Sequence, residues 1–204
     1  MNSNSIVYEN VRLGENTIVE PFCILGIYKN NPPLEVRIGV NSLIRSGTYI
    51  YEGNEIGDHF QTGNKVNIRE SNKIGNNVSI GTHSIIEHHI KIEDDVRIHS
   101  NVFIPEFSEL RKGCWIGPNV TFTNAKYPKS KSAKDNLIGP LIGANAKIGA
   151  GTIILPGIEI GENSLIGAGS LVHKDIPPNS VVIGNPCKII NSVDRLKGNP
   201  YDVY

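Results

Sequence analysis

Residues 78–104 read "VSIGTHSIIEHHIKIEDDVRIHSNVFI", with isoleucine at 80, 86, 92, 98 and 104. The same frame begins at Ile38 and continues through Ile44, Ile50, Ile56, Thr62, Ile68 and Ile74. Beyond the quoted stretch it passes Leu110, Ile116 and Phe122, so that only Thr62 interrupts the apolar column. Four places after each member comes a smaller residue, among them Ser42, Thr48, Val66, Val78, Ser84, Val96, Val102, Ser108, Cys114 and Val120. The frame returns at Ile142, Ile148, Ile154, Ile160, Ile166 and Val172, and a leader of Leu13, Val19 and Leu25 precedes it. A period of six fits neither the 3.6 of a helix nor the 2 of a free amphipathic strand. It suits a short strand followed by a corner, and the glycines directly after the column, such as Gly39, Gly57, Gly63, Gly75, Gly81 and Gly117, are expected to permit the turn. Three such sides close a coil of eighteen residues.

Two segments leave the frame. Residues 26–37, "GIYKNNPPLEVR", and residues 124–141, "NAKYPKSKSAKDNLIGPL", are polar and carry proline, as excursions from a coil should. The second contains Lys126, Lys129, Lys131 and Lys134. Coils therefore span about 6–190 within a single domain of residues 1–204, and the tail 191–204 could hold one short helix before Pro200. Twenty basic and twenty acidic residues cancel, so no general field would attract nucleic acid or an anionic membrane. No basic leader precedes an apolar run, and no stretch reaches membrane-spanning length, which predicts a soluble, cytoplasmic protein. Cys23, Cys114 and Cys187 are odd in number and widely spaced, unlike a zinc ribbon or a disulfide framework.

This pattern resembles the hexapeptide-repeat proteins over nearly the whole chain. The resemblance implies an all-β fold, the left-handed parallel β-helix, here with a protruding loop and the short C-terminal helix. Its left hand comes from the family alone, since parallel crossovers are right-handed in about 98% of cases. In such a helix, residues eighteen apart lie above one another at roughly the 4.8 Å of adjacent strands. One column then reads Glu70, His88, Glu106, Asn124, and another reads Lys65, His83, Asn101, Asn119. A histidine between carboxylates has an orienting partner and a stabilised protonated form, as a general base requires. His99 has Gly81 below and Gly117 above, leaving space beside its ring, while His89 lies between Ser71 and Phe107. The plainer reading is that corner histidines are solvent-facing decoration, and His59 and His173 are assigned to it.

"SIIEHH" resembles the V-E-H-D segment of N-acetyltransferases that act on nucleotide-linked 4-amino sugars, which places His88 on their catalytic histidine. His89 replaces their acidic residue, so Glu106 or Glu70 would have to orient the ring. "IGPNVTFTNAKYPKS" looks like the GPS-V-FTN-x-x-x-P-R signature of relatives acting on 3-amino sugars. By that match Asn124 contacts the acceptor and Lys129 stands for the arginine, while Ala125 occupies a place where some members have Asp. "IHSNV" is similar to a family segment whose asparagine meets the sugar amine, which nominates His99 and Asn101, with His83 a further acceptor contact. "LVHKDIPPNSVVIGNPCKII" resembles the C-terminal closure of hexapeptide acyltransferases. In those enzymes acetyl-CoA lies between subunits of a homotrimer, which implies Ala150 and Ala168 beside a slender chain and Lys174 and Lys188 on phosphates.

The implied reaction is acetyl transfer from acetyl-CoA to the amine of a nucleotide-linked amino sugar, with His88, Glu106 and His99 as its catalytic set. O-acetylation of a sugar or small metabolite is the alternative, and a non-catalytic scaffold a third. Some hexapeptide proteins resemble gamma-class carbonic anhydrases, which hold zinc with three histidines. His83 and His88 have the five-residue spacing of one such pair. Thirty-six residues earlier, however, stand Gly47 and Glu52, so no metal is expected.

Overall fold

A computed structural model describes residues 4–196. Three parallel sheets run the length of the molecule. The first has nine strands, from Ile6–Val7 to Leu171–Val172, and the second has eight, from Val11–Leu13 to Glu159–Ile160. The third begins at Ile18–Val19 and closes with an antiparallel hairpin of Ser180–Ile183 and Lys188–Ser192. The chain visits faces one, two and three in turn, so each strand pairs with the strand one coil away; Ile68 lies between Ile50 and Ile86.

Most strands are two residues long, with the first member facing outward and the second buried. In Ile85–Ile86, Ile85 is 37% exposed and Ile86 is fully buried. Burying each such isoleucine contributes about 1.5–3 kcal/mol, which lets a core almost without aromatic residues hold together. Thr62, the break in the apolar column, is buried as well. Its Oγ1 lies 3.2 Å from Thr48 Oγ1 and accepts the Arg45 amide at 2.9 Å. Asn54 satisfies another inner corner by donating to the carbonyls of Tyr51 (2.6 Å) and Arg69 (2.7 Å) while accepting the Asn72 amide.

The role expected for the column-following glycines is corrected by the backbone. Gly63 and Gly81 are not in the left-handed region; a Cβ on Gly81 would stand 2.4 Å from the backbone carbon of His99 in the next coil. They permit close stacking of coils. The turns themselves are made by residues at φ near +60°, which recur every sixth place as His59, Lys65, Ser71, Asn77, His83, His89, Asp95, Asn101, Phe107 and Asn119. Asn, Asp and His tolerate that conformation better than most residues, whereas Phe does so at a cost.

Both excursions leave the corner between faces one and two. Across the first, Leu25 pairs with Ile50, a step of twenty-five in place of eighteen; across the second, Phe122 pairs with Ile154. The tail forms a 3-10 turn at Val193–Leu196 where a short helix was expected, and residues 197–204 lie outside the described residues. No helix among the described residues is long and apolar enough to cross a membrane.

Candidate active site

At the corner between faces one and two, stacking brings three of the expected residues into contact. Asn124 Nδ2 donates to Glu106 Oε2 at 2.7 Å, and Glu106 Oε1 lies 3.5 Å from His88 Nε2. Both the histidine and the glutamate are largely sheltered, with side chains 29% and 23% exposed. Glu70, the other carboxylate of the column, is engaged elsewhere: Arg69 holds both its oxygens, at 2.8 and 3.1 Å, and Lys29 Nζ lies 3.5 Å away. Burial pushes its carboxyl up, but Arg69 and Lys29 outweigh that and keep it below the usual range. Glu106 is therefore the carboxylate that faces His88.

His89 was not among the expected site residues, yet its Nδ1 stands 2.8 Å from His88 Nδ1. Its backbone is left-handed, with φ 57°, and its amide donates to the Glu70 carbonyl at 3.3 Å. Phe107, one coil above, sets its ring 6.1 Å from that of His88 and 6.0 Å from that of His89. Stacking arithmetic named Phe107 as a neighbour of His89 but gave no sign that the two histidines face each other.

Above this cluster, Asn124 O accepts the Ile138 amide at 3.0 Å and closes the base of the second excursion. Beneath that loop lies a concavity of about 370 Å³ lined by Asn124, Lys126, Tyr127, Ser130 and Ile138, among others. Lys129 is exposed at φ 62° and does not line it; Lys126 and Tyr127 do. From below, the first excursion is tied down by Glu52, which is 2% exposed and accepts the amides of Lys29, Asn30 and Leu34 and the side chain of Asn30. Burial would raise this carboxyl, but those donors together hold it below its ordinary value.

The remaining expected residues sit elsewhere. His83, His99, Asn101, Ala150 and Ala168 all occupy the corner between faces three and one, at the opposite edge of face one from His88. The expected catalytic set of His88, Glu106 and His99 is thus divided between two corners of one chain, because Ile98 and Ile86 belong to strands of different faces. His99 lines a concavity of about 230 Å³ that Gly81 also borders, and its ring lies 4.6 Å from that of Trp115, a residue sequence reasoning passed over. Burial, and then Arg97, hold its imidazole below the ordinary value, so it is neutral at pH 7. Lys174 is exposed at the His88 corner, and Lys188 is exposed on the terminal hairpin. A concavity of about 720 Å³ lies away from both histidine groups and is lined by Glu93, Glu159, Glu162 and Asp175 with Arg111, a poor match for a polyphosphate. Among the described residues, no three His, Cys, Asp or Glu side chains converge to hold a metal ion.

Residues 73–106 and 139–174 match the bacterial transferase hexapeptide (six repeats), and residues 158–191 match the hexapeptide repeat of succinyl-transferase. A galactoside O-acetyltransferase of Lactococcus lactis is 37% identical over 92 residues, which are 43% of this chain and 44% of that protein. A galactoside acetyltransferase solved in complex with coenzyme A is 32% identical over 74% of this chain and 71% of its own, with a TM-score of 0.45. The chain belongs to the hexapeptide-repeat acyltransferase family. The UDP-N-acetylglucosamine acyltransferase of Campylobacter jejuni, 19% identical, superposes with a TM-score of 0.51 over 97% of this chain and 78% of its own. The fold is accordingly the left-handed parallel β-helix. This member of the family spans less than half the length of the curated relatives it matches.

Proposed function

We propose that the chain is an acetyl-CoA-dependent N-acetyltransferase acting on the amine of a nucleotide-linked amino sugar, and that it works as a cytoplasmic homotrimer. The observation that carries the acyl-transfer reading is the run Asn124–Glu106–His88 at the foot of the excursion concavity. A carboxylate held by an amide and set against an imidazole stabilises the imidazolium that forms when the ring accepts a proton. The sugar amine attacks the thioester carbonyl, a C–N bond forms, and collapse of the tetrahedral oxyanion breaks the C–S bond and releases CoA thiol. Pre-aligned donors such as backbone amides would carry the oxyanion. Ala150, Ala168, Lys174 and Lys188 are proposed along the coenzyme, and His83, His99, Asn101 and Lys129 on the acceptor side.

Face one supports the trimer and explains why the site residues lie at two corners. Its outward residues include Ile6, Tyr49, Ile85 and Ile153, each exposed by more than a third, together with Phe103 and Leu171. Face two instead turns out Arg37, Glu55, Lys73, Lys91, Glu109 and Glu159. In a cyclic assembly built on face one, one edge of each copy meets the opposite edge of the next. His88, Glu106 and Asn124 would then meet the neighbour's corner carrying His83, His99 and Asn101. The free, buried thiols of Cys23, Cys114 and Cys187 suit the cytoplasm.

The test is release of CoA from acetyl-CoA, followed by mass spectrometry, with UDP- and dTDP-linked 3-amino and 4-amino sugars and their hydroxyl parents as acceptors. Turnover with an amine and none with its parent supports N-acetylation. The identity with a galactoside O-acetyltransferase favours a second reading, transfer to a hydroxyl, which turnover with a parent alone would reveal. Failure to bind acetyl-CoA would overturn both.

A further inference from the structure

We infer that His89 is a second catalytic histidine, whose Nε2 takes the proton from the acceptor while its Nδ1 passes one to His88. This rests on the acyl-transfer reading above and adds a residue to it. The two Nδ1 atoms are 2.8 Å apart, close enough for one shared proton and too close for two. Glu106 Oε1 faces His88 Nε2, and a carboxylate favours a proton on that nitrogen, since a lone pair there would oppose its charge. Neutral His88 therefore carries its proton on Nε2, its Nδ1 is an acceptor, and the proton between the rings belongs to His89. That leaves the lone pair of the pair on His89 Nε2. His88 is partly sheltered, with Nδ1 against His89 and Nε2 facing Glu106 at 3.5 Å, whereas His89 is exposed, so the basic nitrogen within reach of an acceptor is on His89.

The other groups around the pair are consistent with this polarity. Glu70 lends its carbonyl to the His89 amide while Arg69 and Lys29 occupy its carboxylate, and Glu87 faces Arg69 at 3.4 Å. Glu106 is thus the carboxylate directed at the imidazoles, and Phe107 flanks both rings. As the amine nitrogen bonds to the thioester carbonyl, its proton goes to His89 Nε2 and the Nδ1 proton of His89 goes to His88 Nδ1. His88 becomes an imidazolium against Glu106, and His89 ends neutral with its proton on Nε2. When the C–S bond breaks, the reverse path returns the proton to the departing thiolate. The negative charge of Glu106 stabilises the product of the relay more than its start.

Two measurements test this. Long-range proton–nitrogen NMR of protein labelled with ¹⁵N-histidine, at a pH where both rings are neutral, should show His88 protonated on Nε2 and His89 on Nδ1. The opposite tautomers would overturn the relay. The variant His89→Asn suits the left-handed corner, and its amide can replace the Nδ1–H donor but supplies no base. It should lose about 100- to 10,000-fold in turnover with acetyl-CoA affinity unchanged, the range of a general base. Turnover close to the parent's would overturn the relay while leaving His88 as sole base. If the parent chain is silent with every acceptor, the acyl-transfer reading falls and the relay with it; reversed tautomers in an active protein remove the relay alone.

Discussion

His99 and Trp115 offer a direct optical view of one side chain, because Trp115 is the sole tryptophan of the chain. The depressed imidazole should remain neutral as pH falls past the ordinary histidine value of about 6.5 and take a proton only below it. Protonation then quenches the indole, so fluorescence should drop on that acid limb and His99→Gln should abolish the drop. The sign for stability follows: the unfolded chain binds this proton more readily, so His99 costs nothing above about pH 6.5 and destabilises the fold as pH falls through its lower folded value. At the other corner, Glu106→Gln keeps an acceptor but removes the charge facing His88. Loss of the charge that would stabilise the His88 imidazolium should lower turnover, measured as CoA release, with acetyl-CoA binding intact. Phe107 bears an aromatic ring at φ 65°, a conformation costing a non-glycine residue roughly 1–2 kcal/mol. Phe107→Asn should raise the melting temperature by a few degrees while reducing turnover, because the wall beside the two imidazoles is gone. Stacking arithmetic made Glu106 legible as a partner of His88; it did not reveal His89, since neighbours within one corner are set by backbone twist and ring rotation.

The excursions are held as elements by single polar anchors. Glu52 gathers three amides and one side-chain amide of residues 29–34, and it does so while buried. Its carboxyl lies below the ordinary value, so the anchor is fully present above that value and is lost only as pH falls through the lower folded one. Hydrogen exchange at the amides of Lys29, Asn30 and Leu34 should therefore stay slow at pH 5 and above. Glu52→Gln sets a donor against at least one of these N–H groups and should cost about 1–3 kcal/mol, read as a lower denaturation midpoint and faster exchange confined to the loop. The sequence marked both loops by their proline, asparagine and lysine. It did not mark Glu52 as an anchor, because the residue arrives from the next coil and its donors are backbone. Glycine was legible by position but misread in mechanism: the column-following glycines admit the coil above, and the corners rely on residues that accept positive φ. That also accounts for His59 and His83, whose place every sixth residue in the left-handed region is a turn requirement before it is anything else.

Across the whole molecule, the three-face β-helix was legible from periodicity and family resemblance together, since a column of aliphatic residues every sixth place has no other compact use in this chain. The division of the expected site between two corners follows from the same arithmetic, since His88 and His99 stand eleven residues apart and so follow strands of different faces; what the period does not carry is how copies of the chain would meet. Sedimentation should give a species of three times the 22.3 kDa chain. Ile85→Asp, which places a charge on face one, should shift it to monomer and abolish turnover, whereas Lys73→Asp on face two should leave assembly unchanged. Between the two excursions the step is a constant eighteen residues, which makes that stretch a ruler. Glu52, which anchors the first excursion, and Asn124, which closes the second, belong to one column four steps apart, or about 19 Å at the spacing of neighbouring strands. Duplicating one coil between them, such as residues 73–90, would preserve every inward and outward position and lengthen that gap by about 4.8 Å. A one-residue insertion would instead turn the core of each later strand outward. The height between the two excursions is therefore adjustable in whole coils, and under the proposed acyl-transfer reading it could be changed without touching the two imidazoles.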